Sequence, residues 1–305
     1  MIQVGYYPGC ALHGTAAEYD ETLRAVCQAL DIHLAELEDW NCCGASSAHC
    51  LDDRLAVELA ERNLRLAEQT GPELLVPCAA CFQRLKYAQK HGPTSRLGGA
   101  RADAGNGHSG SATGRGDSQA PDAHRATEAV AVWHVNEFFS RPEWLARLQE
   151  RMCRPLQGLA GAPYYGCLTQ RQPKWTDALQ PEWPTSMDCL MEALGMVVCR
   201  WSYKTDCCGG SLEVARPDLV QHLCDRLVQA AHEASAECLV TACPMCQANL
   251  DISQTQAASA VGKLPVFYIT ELMALALGVG RPERWQRRHM IDPRPLLEQK
   301  GLWQA

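Results

Sequence analysis

Four cysteines of this chain return at a single spacing: Cys42, Cys43, Cys78 and Cys81 are each matched 165 residues later, by Cys207, Cys208, Cys243 and Cys246. The strings around them return as well, NCCGAS (41–46) as DCCGGS (206–211) and LLVPCAACF (74–82) as CLVTACPMCQ (238–247). An earlier pair, YYPGC ending at Cys10 and YYGC ending at Cys167, is offset by 157. Two copies of one pattern fold as two copies of one unit, so this repetition constrains the architecture more than any composition does. The eight residues by which the offsets differ fall in QRQPKWTDALQPEWPTS (170–186), whose prolines and tryptophans mark a longer loop in the second copy.

The likeness continues through VWHVNEFF (132–139) and VFYITELM (266–273), which makes His134 and Tyr268 equivalent and places both in β-like core runs. Before that segment the first copy holds 31 more residues. They fall in 92–128, a run of Gly, Ser, Ala and Arg in which Leu97 is the only large aliphatic side chain. Such a run buries too little apolar surface to offset its ordering entropy, so it reads as a flexible insertion, and Arg115-Gly116-Asp117 within it as coincidence. The copies divide near 150–162, giving a first domain over 1–150 and a second over 151–305.

Each copy opens with a short β-like run (IQVGYY; APYY) ending at its first cysteine. A helix follows in the first copy over 15–30, with Tyr19, Leu23, Val26, Cys27 and Leu30 on one face. Extended runs then lead into the double cysteine and, after helices over 53–71 and 217–234, into the CxxC (ELLVPC; ECLVTAC). Strands alternating with helices predict two pseudo-symmetric, Rossmann-like α/β domains with parallel sheets covered by helices. Ligands of such sheets gather beyond the carboxyl ends of the strands, where the motif cysteines fall, so the cysteines of each copy should converge on one rim.

Of 17 cysteines in the chain, an odd number, none is accompanied by an export signal, because MIQVGYYPGC has neither a basic nor an apolar region. That argues against a disulfide framework and for a cytoplasmic protein whose cysteines bind metal, act in redox chemistry or are buried. A net charge of −7 gives no field for nucleic acid, and the longest apolar run, LMALALGVG (272–280), is too short to cross a bilayer. Five thiols per copy, two of them adjacent, fit tetrahedral zinc poorly, and the ferredoxin run C-x2-C-x2-C-x3-C is absent. Soft thiolates do select iron-sulfur chemistry, and five could hold a cluster spread wider than a cube. Gly44 and Gly209, after the double cysteines, would let backbone approach it, and Pro77 and Pro244 remove competing donors.

With ten cysteines in this order, the chain resembles the tandem CCG cysteine-rich domains that define the B subunits of heterodisulfide reductases. The resemblance implies two noncubane [4Fe-4S] clusters, one on Cys10, Cys42, Cys43, Cys78 and Cys81, the other on Cys167, Cys207, Cys208, Cys243 and Cys246. It implies that they face each other across the two halves, that a disulfide is cleaved between them with one sulfur taken by an iron of each, and that no protein nucleophile is needed. Cleaving a disulfide takes two electrons and a cluster passes them singly, so a duplicated site suits the reaction, whereas thioredoxin-like exchange would need only a CxxC. The family also implies two protein partners, a ferredoxin-like subunit with cubane clusters and a flavin-bearing subunit, and a disulfide, thiol or sulfane substrate. An Ala- and Arg-rich composition inclines this reading toward the sulfur-oxidising branch. Two alternatives stand beside it: an electron-relay subunit coupling a succinate, lactate or glycolate dehydrogenase to quinone, and a zinc-bound interaction module without activity. Complete copies without a fused ferredoxin domain weigh against the relay.

Seven cysteines stand outside the pattern. Cys27, Cys189, Cys199 and Cys224 lie in apolar or helical stretches and read as buried small side chains, Cys50 follows the double cysteine, and Cys153 and Cys238 complete the seven. His13, His49, Arg84, Arg171 and Lys204 are near motif cysteines in sequence and could orient a substrate carboxylate or supply a proton, although a supporting role is the commoner one for such residues.

Overall fold

The computed structural model describes residues 2–45, 48–92, 130–256 and 262–303. Apart from Gly92, the insertion read at 92–128, with its Arg-Gly-Asp, lies outside them.

In the first half the order is β1 (Ile2–Tyr6), α1 (Gly9–Leu12), α2 (Ala17–Ala29), β2 (Ile32–Glu36), α3 (Ala48–Leu51), α4 (Asp53–Ala67), β3 (Glu73–Val76), α5 (Ala79–His91), β4 (Ala131–His134), α6 (Val135–Phe139) and α7 (Pro142–Arg151). The second half follows with β5 (Ala160–Tyr164), α8 (Pro173–Thr176), α9 (Ser186–Ala193), β6 (Val197–Val198), α10 (Pro217–Glu233), β7 (Cys238–Thr241), α11 (Pro244–Gln256), β8 (Val266–Tyr268) and α12 (Ile269–Leu277). Three short helices, α13 (Pro282–Trp285), a 3-10 turn at Gln286–Arg288 and α14 (Arg294–Gln299), complete the described chain.

Both sheets are parallel and share one strand order, β2-β1-β3-β4 and β6-β5-β7-β8. The register places Tyr6 beside Leu75 and Val76 beside His134 in one, and Tyr164 beside Thr241 and Thr241 beside Tyr268 in the other. Alternating strand side chains divide the interior into three regions. Leu74 and Val132 face an outer core under α4 and α5, and Leu239 and Val266 face its counterpart under α10 and α11. Val4, Tyr6, Leu75, Val240 and Phe267 face inward to a single core shared by the halves, filled by α2, α6, α7, α9 and α12. The two sheets are thus fixed relative to each other by burial.

Three local outcomes refine the sequence reading. The helix expected over 53–71 ends at Ala67, because the Thr70 amide and hydroxyl both bond the Ala67 carbonyl, at 2.9 and 2.8 Å, and close the turn. Its start follows Asp52, whose carboxylate accepts from the Arg54 and Leu55 amides. The runs 132–139 and 266–273 are short strands turning directly into α6 and α12, with His134 and Tyr268 as the helix caps. No helix among the described residues is long and apolar enough to cross a membrane.

Candidate functional site

In both halves the motif cysteines sit past the carboxyl ends of the strands, as expected. Cys10 lies in α1 directly after β1, Cys78 caps α5 after β3, Cys81 is in the first turn of α5, and Cys42 and Cys43 occupy the loop after β2. Cys207, Cys208, Cys243 and Cys246 repeat these placements after β6 and β7, and Cys167 lies in the turn that follows β5. Within each set the sulfurs meet: Cys43 Sγ is 3.3 Å from Cys81 Sγ, and Cys208 Sγ is 3.6 Å from Cys246 Sγ. Cys10, Cys42 and Cys207 are exposed while Cys43, Cys78, Cys81, Cys208, Cys243 and Cys246 are buried, so each set opens to solvent on one side.

The thiols share protons. Hydrogen bonding with Cys42 and Cys81, with the Arg84 guanidinium beyond them, holds Cys43 well below the ordinary thiol range, and the same contacts raise Cys42 and Cys81. The contact with Cys81 also lowers Cys78, and burial raises Cys10. In the second half a hydrogen bond from Cys167, aided by Arg171, lowers Cys207, while Cys167 and Cys246 are raised. Five thiols this close cannot all ionise unless a cation is shared among them, which is what thiolate ligation of iron provides. Among the described residues no group of three or more His, Cys, Asp or Glu side chains is arranged around one metal ion. Five soft thiol donors in a set suit iron-sulfur chemistry.

Glycine makes this gathering possible, at the expected positions and at two more. Gly9 (φ +68°) and Gly166 (φ +66°) precede the first cysteines, and a Cβ on either would lie 2.9 Å from Cys81 Sγ or Cys246 Sγ. Gly44 and Gly209 turn their amides to the thiols, donating to Cys42 Sγ at 3.4 Å and Cys207 Sγ at 3.3 Å, while a Cβ on either would press on the following helix, near Ala56 or Val220.

The double-cysteine loops are held by residues that motif spacing does not flag. Tyr7 donates to the Asn41 carbonyl at 2.8 Å and Tyr164 to the Asp206 carbonyl at 2.7 Å, each the residue before a double cysteine. These tyrosines share the 157-residue offset of Cys10 and Cys167, a signal present in the repeated YYPGC and YYGC. Asn63 on α4 clamps Asn41 at both its amide (3.0 Å) and its carbonyl (2.8 Å). Asn249 on α11 takes the Cys208 and Gly210 carbonyls at 3.3 and 3.1 Å. Neither asparagine has a counterpart in the repeat, so nothing in the sequence marks them.

The other candidates separate. Arg84 and Arg171 lie near Cys43 and Cys207, one guanidinium to each half. Lys204 is buried, bonded to Asp188 at 2.7 Å and to the Pro184 carbonyl at 2.9 Å, so it anchors the loop ahead of Cys207. His13 pairs with Glu36 at 3.0 Å beside Trp40, and the side chain of His49 lies outside what is described. Cys27, Cys199, Cys224 and Cys238 are buried, while Cys189 is half-buried and Cys50 and Cys153 are exposed. Cys224 donates to the Cys208 carbonyl at 3.4 Å, which brings it closer to the site than its sequence position indicates.

Two α/β units with one strand order, each gathering five thiols on its strand-end rim, define a tandem cysteine-rich protein. The family model described as the CCG cysteine-rich domain matches residues 4–86 and 162–251, and the chain belongs to that family. Over 93% of its length it is 24% identical to the B subunit of a ferredoxin/F420H2-dependent CoB-CoM heterodisulfide reductase from Methanosarcina acetivorans, covering 92% of that protein. It is 29% identical to an 8-methylmenaquinol:fumarate reductase membrane anchor subunit of Wolinella succinogenes, across 95% of this chain and 97% of that one. A hypothetical protein from Helicobacter pylori has the same fold, with a TM-score of 0.62 at 10% identity; the match takes in 94% of this chain and 51% of that one.

Proposed function

We propose that Cys10, Cys42, Cys43, Cys78 and Cys81 hold one noncubane [4Fe-4S] cluster and Cys167, Cys207, Cys208, Cys243 and Cys246 a second, in domains 1–150 and 151–305. On this reading the chain is the disulfide- or thiol-reacting subunit of a heterodisulfide-reductase-like oxidoreductase complex in the cytoplasm. It takes electrons from, or passes them to, a ferredoxin-like subunit with cubane clusters and a flavin-bearing subunit. The observation that carries this is the duplication itself: one five-thiol set, gathered twice at equivalent strand ends around a shared core.

When bound, the two clusters supply the two electrons that a disulfide takes up on cleavage, one from each. The protein's own part is to hold and to admit. Tyr7, Asn63, Tyr164 and Asn249 fix the double-cysteine loops, and the open side at Cys10, Cys42 and Cys207 leaves room for a sulfur compound. Arg84 and Arg171 put positive charge where a thiolate product or a substrate carboxylate would come to rest.

A second reading is supported by the 29% identity to the fumarate reductase anchor subunit. That protein is covered over 97% of its length, so two copies without a fused domain do not weigh against an electron-relay subunit joining a dehydrogenase to quinone. Viologen-linked disulfide cleavage and quinol oxidation, assayed on the anaerobically purified complex with Cys43→Ser and Cys208→Ser made separately, divide the two. The proposal expects each substitution alone to abolish disulfide cleavage. Cleavage that survives either one contradicts it, and turnover with quinol alone supports the relay.

A further inference from the structure

The two thiol sets are joined by one buried polar bridge. Pro77 and Ala242 are equivalent residues, 165 apart, and each immediately precedes the first cysteine of a CxxC, Cys78 or Cys243. Their carbonyls meet between the halves. The Tyr19 hydroxyl, on α2, donates to the Ala242 carbonyl at 3.0 Å and stands 3.5 Å from the Pro77 carbonyl. His134, at the end of β4, brings Nε2 within 3.1 Å of the Pro77 carbonyl. A carbonyl only accepts, so this imidazole carries its proton on Nε2. Tyr19 is fully buried, and His134 and Ala242 are 2% exposed, so water offers these groups no substitute partner.

The surroundings keep the bridge in place. The Tyr19 ring lies flat on that of Tyr268, centroids 4.3 Å apart and planes 9° apart, and Tyr268 is the residue equivalent to His134 in the other half. One helical turn along α2, Thr22 and Thr270 share a 2.7 Å hydrogen bond to α12. The related seam, α6 against α9, has no hydrogen bond between the halves among the described residues, and the links from Gln83 to the Arg171 carbonyl and from Lys90 to the Lys174 carbonyl lie at the surface, so the buried polar link is on one side of the pseudo-symmetry.

We infer that Tyr19 and His134 are positioning residues that tie the two CxxC segments to each other and so set the separation of the two thiol sets. The inference deepens the proposed function, since that separation governs whether one sulfur-sulfur bond can meet both sites. It concerns the polypeptide alone, however, and is tested without any cluster.

Amide hydrogen exchange on the full-length protein, loaded and unloaded, reads it. Tyr19→Phe keeps the ring on Tyr268 and removes only the donor. The segments around Cys78–Cys81 and Cys243–Cys246 are both expected to exchange about five- to tenfold faster, the size of one lost buried hydrogen bond. His134→Gln, which keeps a donor, should leave both near the parent rate, and His134→Leu should loosen the Pro77 side. If iron is bound, spin-spin broadening in the resonance spectrum of the reduced protein should change in Tyr19→Phe at unaltered iron content. In Tyr19→Phe, faster exchange confined to α2, or in one CxxC segment only, overturns the inference, as does unchanged exchange. Absence of iron from the parent protein would instead count against the proposed function and leave the exchange result standing.

Discussion

At the scale of single residues the thiol sets depend on side chains whose own chemistry is quiet. Tyr7 and Tyr164 each spend a hydroxyl on the carbonyl ahead of a double cysteine. Tyr7→Phe and Tyr164→Phe are each expected to cost about 1 kcal/mol of unfolding free energy in urea, with the thiols of the affected half reacting faster with a maleimide. The tyrosines left a signal that the cysteine spacing passed over, because they repeat with Cys10 and Cys167; Asn63 and Asn249 left none, because different residues perform this task in each half. His289 carries a pH dependence. Burial works against its charge, but Glu271, 2.8 Å away, with Asp251 and Glu18 beyond it, prevails and raises it to about 9. A raised histidine contributes stability that is complete below its unfolded value near 6.5 and is lost as pH climbs through the folded one. Thermal midpoints should therefore fall between about pH 7 and pH 9 in the parent protein, and His289→Gln should flatten that slope.

Among the elements, α2 carries the most. Its residues Leu23, Val26 and Cys27 enter the shared core, and Tyr19 and Thr22 bond across it. Leu23→Ala should cost about 2–5 kcal/mol in chemical unfolding, at the upper end because both halves wall the cavity it leaves. The α4 cap is worth less: Asp52→Ala should lower stability by about 1 kcal/mol, since it frees the Arg54 and Leu55 amides at a helix end open to water. Helical periodicity placed α2 within two residues at its start, because its apolar face is continuous. The end of α4 was less legible, since a threonine side chain rather than Gly71 stops it. Glycine after each double cysteine does bring backbone amides to thiol sulfurs, and the positive φ there, +80° and +96°, with a helix behind, leaves no room for a side chain. The same need at Gly9 and Gly166, where the neighbour is a thiol sulfur, shows only once the chain is folded.

Across the whole molecule, the repeat made the architecture readable: two sheets of one order, and two thiol sets at corresponding ends. What repetition alone left open was how the halves meet. Residues at equivalent positions diverge there, His134 against Tyr268 being the clearest case, because a site on or near a pseudo-symmetry axis is filled once by two different side chains. The central claim is that ten thiols in two sets bind iron and sulfide. Metal and acid-labile sulfide analysis of the anaerobically purified protein, with electron paramagnetic resonance of the reduced form, tests it most directly. Iron and sulfide in equal amounts, enough for two four-iron clusters per chain and halved by Cys43→Ser or by Cys208→Ser, is the expected result; zinc without iron would contradict the account.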